Sequence, residues 1–162
     1  MKNKVVQKIE LNPITLVGIK TRTSNAAEIS GNGKIAALWG QFLGEGILSQ
    51  IPNRMNPSEW MAVYTEFESD ENGEYTMFIG AAVERIESLP PNLFSLQIPR
   101  SEYTKVSTDW GPITNIGLEA WKKIWSEEEY RKNRSYIADL EIYGVDAIDP
   151  NHSRFDIYLG IK

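Results

Sequence analysis

The sequence predicts an α+β domain. It reads as two strand–helix–strand–strand modules in a pseudo-two-fold arrangement, with an antiparallel sheet, helices on one face and a ligand cleft between the modules. Three observations predict this. A motif recurs: Ala62-Val63-Tyr64 leads to Met77-Phe78-Ile79-Gly80, and Glu141-Ile142-Tyr143 leads to Ile157-Tyr158-Leu159-Gly160. Each copy follows a helix-like stretch with a tryptophan, Trp39 in the first and Trp121 in the second. Each copy also has the alternation and turn residues of a hairpin. The 162 residues fit one domain spanning 1–162, with module one at about 1–88 and module two at about 92–162.

Val5 to Leu11 and Ile14 to Thr21 read as strands broken at Pro13. Ser24 to Gly33 is polar and glycine-containing, and is expected to be a mobile connection. Ile35, Leu38, Trp39 and Phe42 then fall at helical spacing and form one apolar stripe, with Gly44 and Gly46 ending the helix. Pro52 and Pro57 mark a loop. Trp60, Ala62 and Tyr64 alternate with Met61, Val63 and Thr65, as in a strand. Asp70-Glu71-Asn72-Gly73 turns the chain into a partner strand over Tyr75 to Arg85.

Leu89-Pro90-Pro91-Asn92 separates the halves. Phe94 to Ser107 is extended, with an interruption at Ile98-Pro99. A second helix opens near Gly111-Pro112, where proline suits the first turn. Ile113, Ile116, Ala120 and Ile124 form its core stripe, and Trp121 and Trp125 widen one flank. Glu127-Glu128-Glu129 is expected to close this region as a solvated charge run. Tyr136 to Tyr143 and Arg154 to Ile161 are the last strands, joined through Pro150 and Asn151.

Composition narrows the chemistry. There is no cysteine, which excludes thiol catalysis, a disulfide framework and cysteine zinc sites, and suits a cytoplasmic protein. The single histidine, His152, lies in a turn-like polar run and reads as a surface residue. No nucleophile elbow, phosphate loop or dinucleotide fingerprint is present. Neither metal nor cofactor is expected. A net charge of −5 argues against direct nucleic-acid binding and leaves room for cationic partners. No segment approaches a membrane span.

Glu141 is the position where the repeat breaks. Its counterpart is Ala62, so a charge stands where the twin carries a methyl group. An inward-facing Glu141 is a carboxylate in an apolar setting, which needs a chemical reason. In a hairpin, Glu141 and Tyr143 could share a face with Asp156 and Tyr158. A wet edge-hairpin face would give the same pattern. The repeat favours the inward face, because Ala62 and Tyr64 are not wet-face residues. A carboxylate among aromatic rings suits an organic cation, each ring face adding about 0.5–2 kcal/mol. General acid–base work is the other use of a buried glutamate.

The order of elements resembles the GyrI-like effector-binding domain family, the ligand-binding part of multidrug-responsive regulators of the AraC and MerR types. The matching stretches include Leu16-Val17-Gly18-Ile19, Leu38-Trp39, Met61 to Phe67, Tyr75 to Gly80, Ile116 to Trp125, Leu140-Glu141-Ile142-Tyr143 and Asp156-Ile157-Tyr158-Leu159-Gly160. The resemblance runs over roughly residues 5 to 162. It implies a cleft between two modules and a hallmark acid, here Glu141, that pairs with lipophilic cations. The second acid and last-strand aromatic would correspond to Asp156 and Tyr158. Two departures are Gly160 in place of a usual proline and Ala62-Val63 in place of a usual glycine.

The resulting expectation is a stand-alone binding protein for hydrophobic, cationic, drug-like molecules. Glu141 is the counter-ion, and Trp39, Tyr64, Trp110, Tyr143 and Tyr158 are candidate walls beside Asp156. No helix-turn-helix region is present, so any transcriptional role would run through a protein partner. The chain is expected to be a monomer or homodimer. The alternatives are a hydrolase of electrophilic molecules using the same glutamate, and a gyrase-interacting inhibitor.

Overall fold

The computed structural model describes residues 8–162; the Val5–Gln7 part of the expected first strand lies outside them. The strands are β1 (Lys8–Leu11), β2 (Ile14–Ser24), β3 (Trp60–Thr65), β4 (Glu74–Ala82), β5 (Phe94–Ile98), β6 (Ser101–Ser107), β7 (Ala138–Tyr143) and β8 (Asp156–Ile161). The helices are α1 (Asn25–Ser30), α2 (Ile35–Gly44), α3 (Ile47–Gln50), α4 (Ile113–Ser126) and α5 (Glu128–Lys132). The strands form one antiparallel sheet in the order β1-β6-β8-β7-β3-β4-β2-β5.

That order is a palindrome of equivalent strands, which is the two-fold relation the repeat implies. At its centre Ala62 pairs with Glu141, Trp60 with Tyr143, and Tyr64 with Asp139. The pseudo-axis therefore passes through the Ala62–Glu141 pair, in which the copies differ by a charge.

The edges are exchanged. β1 pairs with β6 in the second half of the sheet, and β5 pairs with β2 in the first. The exchange crosses the expected modules: residues 8–11 pair within the second half of the sheet, and residues 94–98 within the first. The two-residue links at Asn12-Pro13 and Pro99-Arg100 reach only about 11 Å between their flanking Cα atoms. The two ends of the sheet must therefore meet, and the sheet curls. Both pairings share one register, so continuing it across the links sets Pro13 opposite Pro99. Neither proline can donate to the ladder, and the ribbon breaks where it must bend. At another close approach, Gly18 pairs with Gly80; a Cβ on either would lie 2.1 Å from a backbone oxygen of the opposite strand.

Each face of the sheet has its own core. One face buries Ala62, Met77, Ile79, Ile157 and Leu159 against Leu38 and Phe42 of α2 and Ile116, Ala120 and Ile124 of α4. Each fully buried isoleucine there contributes about 1.5–3 kcal/mol. The other core, Leu16, Met61, Val63, Phe78, Ile98, Tyr103, Ala138 and Leu140, consists of strand residues alone, buried by the curl.

Two expected loops are helical. Ser24 to Gly33 contains α1: the Ser24 hydroxyl accepts from Ala27 N–H at 3.1 Å, and Gly31 ends the helix with φ +90°. Serine and glycine act here as caps rather than as loop residues. The Glu127-Glu128-Glu129 run caps and begins α5, with Arg131 and Lys132 in its last turn, which suits the helix dipole. No helix among the described residues is long and apolar enough to cross a membrane.

Candidate ligand-binding site

β7 presents Asp139, Glu141 and Tyr143 to the helix-bearing face. Glu141 is only 4% exposed. Its carboxylate accepts three hydrogen bonds: Tyr143 Oη to Oε1 at 2.6 Å, Trp121 Nε1 to Oε2 at 2.7 Å, and Tyr64 Oη to Oε2 at 3.0 Å. All three donors are neutral. Burial pushes the Glu141 pKa up, and the donors from Tyr143, Trp121 and Tyr64 oppose that rise. Burial and the neighbouring carboxylate hold both phenols well above their ordinary value.

The aromatic shell follows the pseudo-axis. Trp121 of α4 packs edge-on against Tyr64 at 5.3 Å, and Trp39 of α2 does the same to Tyr143 at 5.4 Å. Each helix thus contributes a tryptophan to the tyrosine of the other module. The symmetry then breaks two residues along. Trp60 stacks on Tyr143 at 5.7 Å with ring planes 6° apart, whereas the equivalent position beside Tyr64 is Asp139.

Asp139 is 1% exposed. It accepts from Arg134 Nη2 at 2.6 Å and from Gly160 N–H at 2.9 Å. Burial raises its pKa, with Arg134 the principal opposing influence. Arg134, itself 5% exposed, also lies 4.5 Å over the Tyr136 ring.

Two cavities lie between α2 and α4, on either side of Glu141. The first, about 350 Å³, is walled by Tyr64, Phe67, Tyr75, Trp121 and Trp125, with Glu28, Glu71, Asp139 and Arg134 as its charged groups. The second, about 570 Å³, is walled by Trp39, Trp60 and Tyr143 with aliphatic residues from α2, α4 and the β7–β8 connection. Glu141 lies behind the walls of both: Tyr64 and Trp121 screen it from the first and Tyr143 from the second.

The structure brings Glu141, Tyr64, Tyr143 and Trp39 together. It places three other expected residues elsewhere. Tyr158 pairs with Leu140 and Asp156 with Ile142, so both lie on the opposite sheet face from Glu141. Register explains this: Ile157 and Leu159 must reach the core, and their neighbours consequently point the other way. Asp156 instead accepts from Ser107 Oγ at 2.6 Å and pairs with Lys105 at 3.6 Å, while Tyr158 packs edge-on to Tyr103. Trp110, half-exposed, stacks on the exposed His152 and lines neither cavity.

Trp121, Trp60, Asp139 and Arg134 were not expected at the site. Trp121 was within reach, because the repeat makes it the counterpart of Trp39. Arg134 was not, since its role depends on the turn before β7, where Tyr136 has φ +55°.

A curled eight-stranded antiparallel sheet with helices on one face, as found here, defines the class: an effector-binding domain of GyrI-like fold. Residues 9–161 match the Cass2 family, integron-associated effector binding proteins. The chain belongs to that family, and the family supports small-molecule binding. Among relatives, it is 32% identical over 145 residues to YobU of Bacillus subtilis (strain 168), a candidate transcriptional regulator protein, covering 90% of each chain. Its fold resembles that of an integron cassette protein from the mobile metagenome of Vibrio cholerae, at TM-score 0.75 and 22% identity, with 96% of this chain and 95% of that one covered. It also resembles the protein SAV2435 in a structure bound to tetraphenylphosphonium, at TM-score 0.76 and 16% identity, with 96% and 93% covered.

Proposed function

We propose that this protein binds lipophilic organic cations in the first cavity, with Glu141 as the compensating charge. The observation that carries the reading is the Glu141 carboxylate, buried and, among the described residues, hydrogen-bonded only by neutral side chains. Burying an anion without a paired cation costs several kcal/mol, a cost that persists in a fold when something else repays it.

The charge reaches the cavity through its own donors. A phenol or indole that donates to a carboxylate has a more electron-rich ring face, so Tyr64 and Trp121 offer a strengthened cation–π surface. At about 6 Å and an effective dielectric of about 20, the Coulomb attraction adds on the order of 3 kcal/mol. Glu28 and Glu71 at the rim bias the cavity further toward positive charge. The bound tetraphenylphosphonium in SAV2435, a protein of like fold, supports the same ligand class. In the cell, such binding would serve transcriptional control, the role the YobU likeness suggests.

Tetraphenylphosphonium is the direct probe. Titration followed by tryptophan fluorescence and calorimetry should show saturable one-to-one binding. Glu141→Gln should weaken it tenfold or more, about 1.4 kcal/mol. Equal affinity in the two proteins would overturn the reading.

A further inference from the structure

We propose that the second cavity is a separate binding site for a neutral, planar aromatic molecule. Its walls set this chemistry. Trp60 and Tyr143 stack on each other nearly parallel, and Trp39 meets Tyr143 edge-on, so the three rings form one continuous aromatic wall to the cavity. Such a wall favours a flat π-system by offset stacking and edge contacts.

Charge points the same way. The lining contains no Asp, Glu, Lys or Arg; its side-chain polar groups are the Thr114 hydroxyl, the Tyr143 hydroxyl and the two indole N–H groups. The Tyr143 hydroxyl is already donated to Glu141. A cation finds no carboxylate in this lining, unlike Glu28 and Glu71 in the first cavity, and an anion would face Glu141 behind Tyr143, whereas a neutral guest loses little hydration. The volume, about 570 Å³, suits a guest of two or three fused or linked rings. Leu43 and Ile148, 70% and 67% exposed, stand at the mouth as apolar surface that a guest would cover.

The pseudo-axis explains how one fold came to hold two chemistries. Trp60 and Asp139 occupy equivalent places, each directly across the strand pair from a tyrosine. An indole in one place adds an aromatic wall to the neutral cavity, and the acid in the other adds the Asp139–Arg134 ion pair to the wall of the charged one. This site does not depend on the cation reading, since its walls include no group assigned to the charge of that ligand.

The test uses N-phenyl-1-naphthylamine, an uncharged fluorophore, beside tetraphenylphosphonium on the same proteins. Wild type should bind the fluorophore saturably at one-to-one stoichiometry with enhanced, blue-shifted emission. Thr114→Trp, at an exposed helix position lining the second cavity, should weaken it at least tenfold and leave the cation affinity within twofold. Ala36→Trp, at the exposed rim of the first cavity, should do the reverse. Ile148→Arg, which places a charge at the mouth without touching the core, serves if Thr114→Trp does not fold. Absence of saturable fluorophore binding would overturn the proposal, as would loss in Ala36→Trp with none in Thr114→Trp or Ile148→Arg. Fluorophore binding without cation binding would uphold this site and sink the cation reading; the converse would do the opposite.

Discussion

Asp139 and Glu141 stand two residues apart on one face of β7, and both are buried, yet their surroundings answer burial in opposite ways. Asp139 has a full counter-charge in Arg134 and a backbone N–H from Gly160. Glu141 has two phenols and an indole. The first is a completed ion pair that holds the turn before β7 against the end of β8. The second is a solvated anion whose solvent happens to be aromatic side chains, with its charge still uncompensated. Burial alone therefore does not mark a functional acid. Burial with neutral partners is the feature on which we propose Glu141, and not Asp139, as the counter-ion.

The comparison can be broken most severely at Arg134. Arg134→Leu strands Asp139 as an unpaired buried carboxylate and should destabilise the fold by about 3–5 kcal/mol, read by denaturant unfolding. Adding Asp139→Asn to that variant should recover part of the loss.

A smaller effect of opposite sign is expected at Glu141. Its folded pKa is raised above the ordinary carboxylate value of 4.5, so the native state holds a proton that the unfolded chain releases. Wild type therefore loses stability as pH climbs from about 4.5 through the raised value, and Glu141→Gln escapes that loss. The amide oxygen can still accept from Trp121 and Tyr64, and the Tyr143 hydroxyl can rotate to accept from the amide nitrogen. Melting curves of the two proteins should nearly coincide near pH 4 and separate toward pH 7, with the glutamine variant higher. A gap that closes as pH rises would refute the assignment.

The smallest effect sharpens the contrast from outside. Asp156→Asn removes a partly exposed ion pair on the far face and should change stability by less than about 1 kcal/mol. Tetraphenylphosphonium affinity should not move.

The elements that recur were legible because hydrophobic period and turn residues are local signals. Both stripes, the β3–β4 hairpin and the break at Ile98-Pro99 could be read without the structure. The inward face of Glu141 could be read too, though only through its equivalence with Ala62. The exchange of β1 and β5 leaves no local trace, since either strand would look the same at either edge. The far-side placement of Asp156 and Tyr158 turned on which residues of β8 face the core, and grouping polar with polar chose the wrong side. The sequence placed acid with acid, whereas Ile157 and Leu159 decided the matter by needing cover. Trp110 failed for a simpler reason: an aromatic count carries no address.

The crossed edge strands have one last consequence. A scission near residue 90 would not release two self-sufficient halves. The leading fragment would keep β1 with no β6 to hold it, and would lack the β5 that shields β2; the trailing fragment would suffer the mirror-image defect. Mixed together, the two pieces each carry what the other lacks, so this fold is suited to fragment complementation.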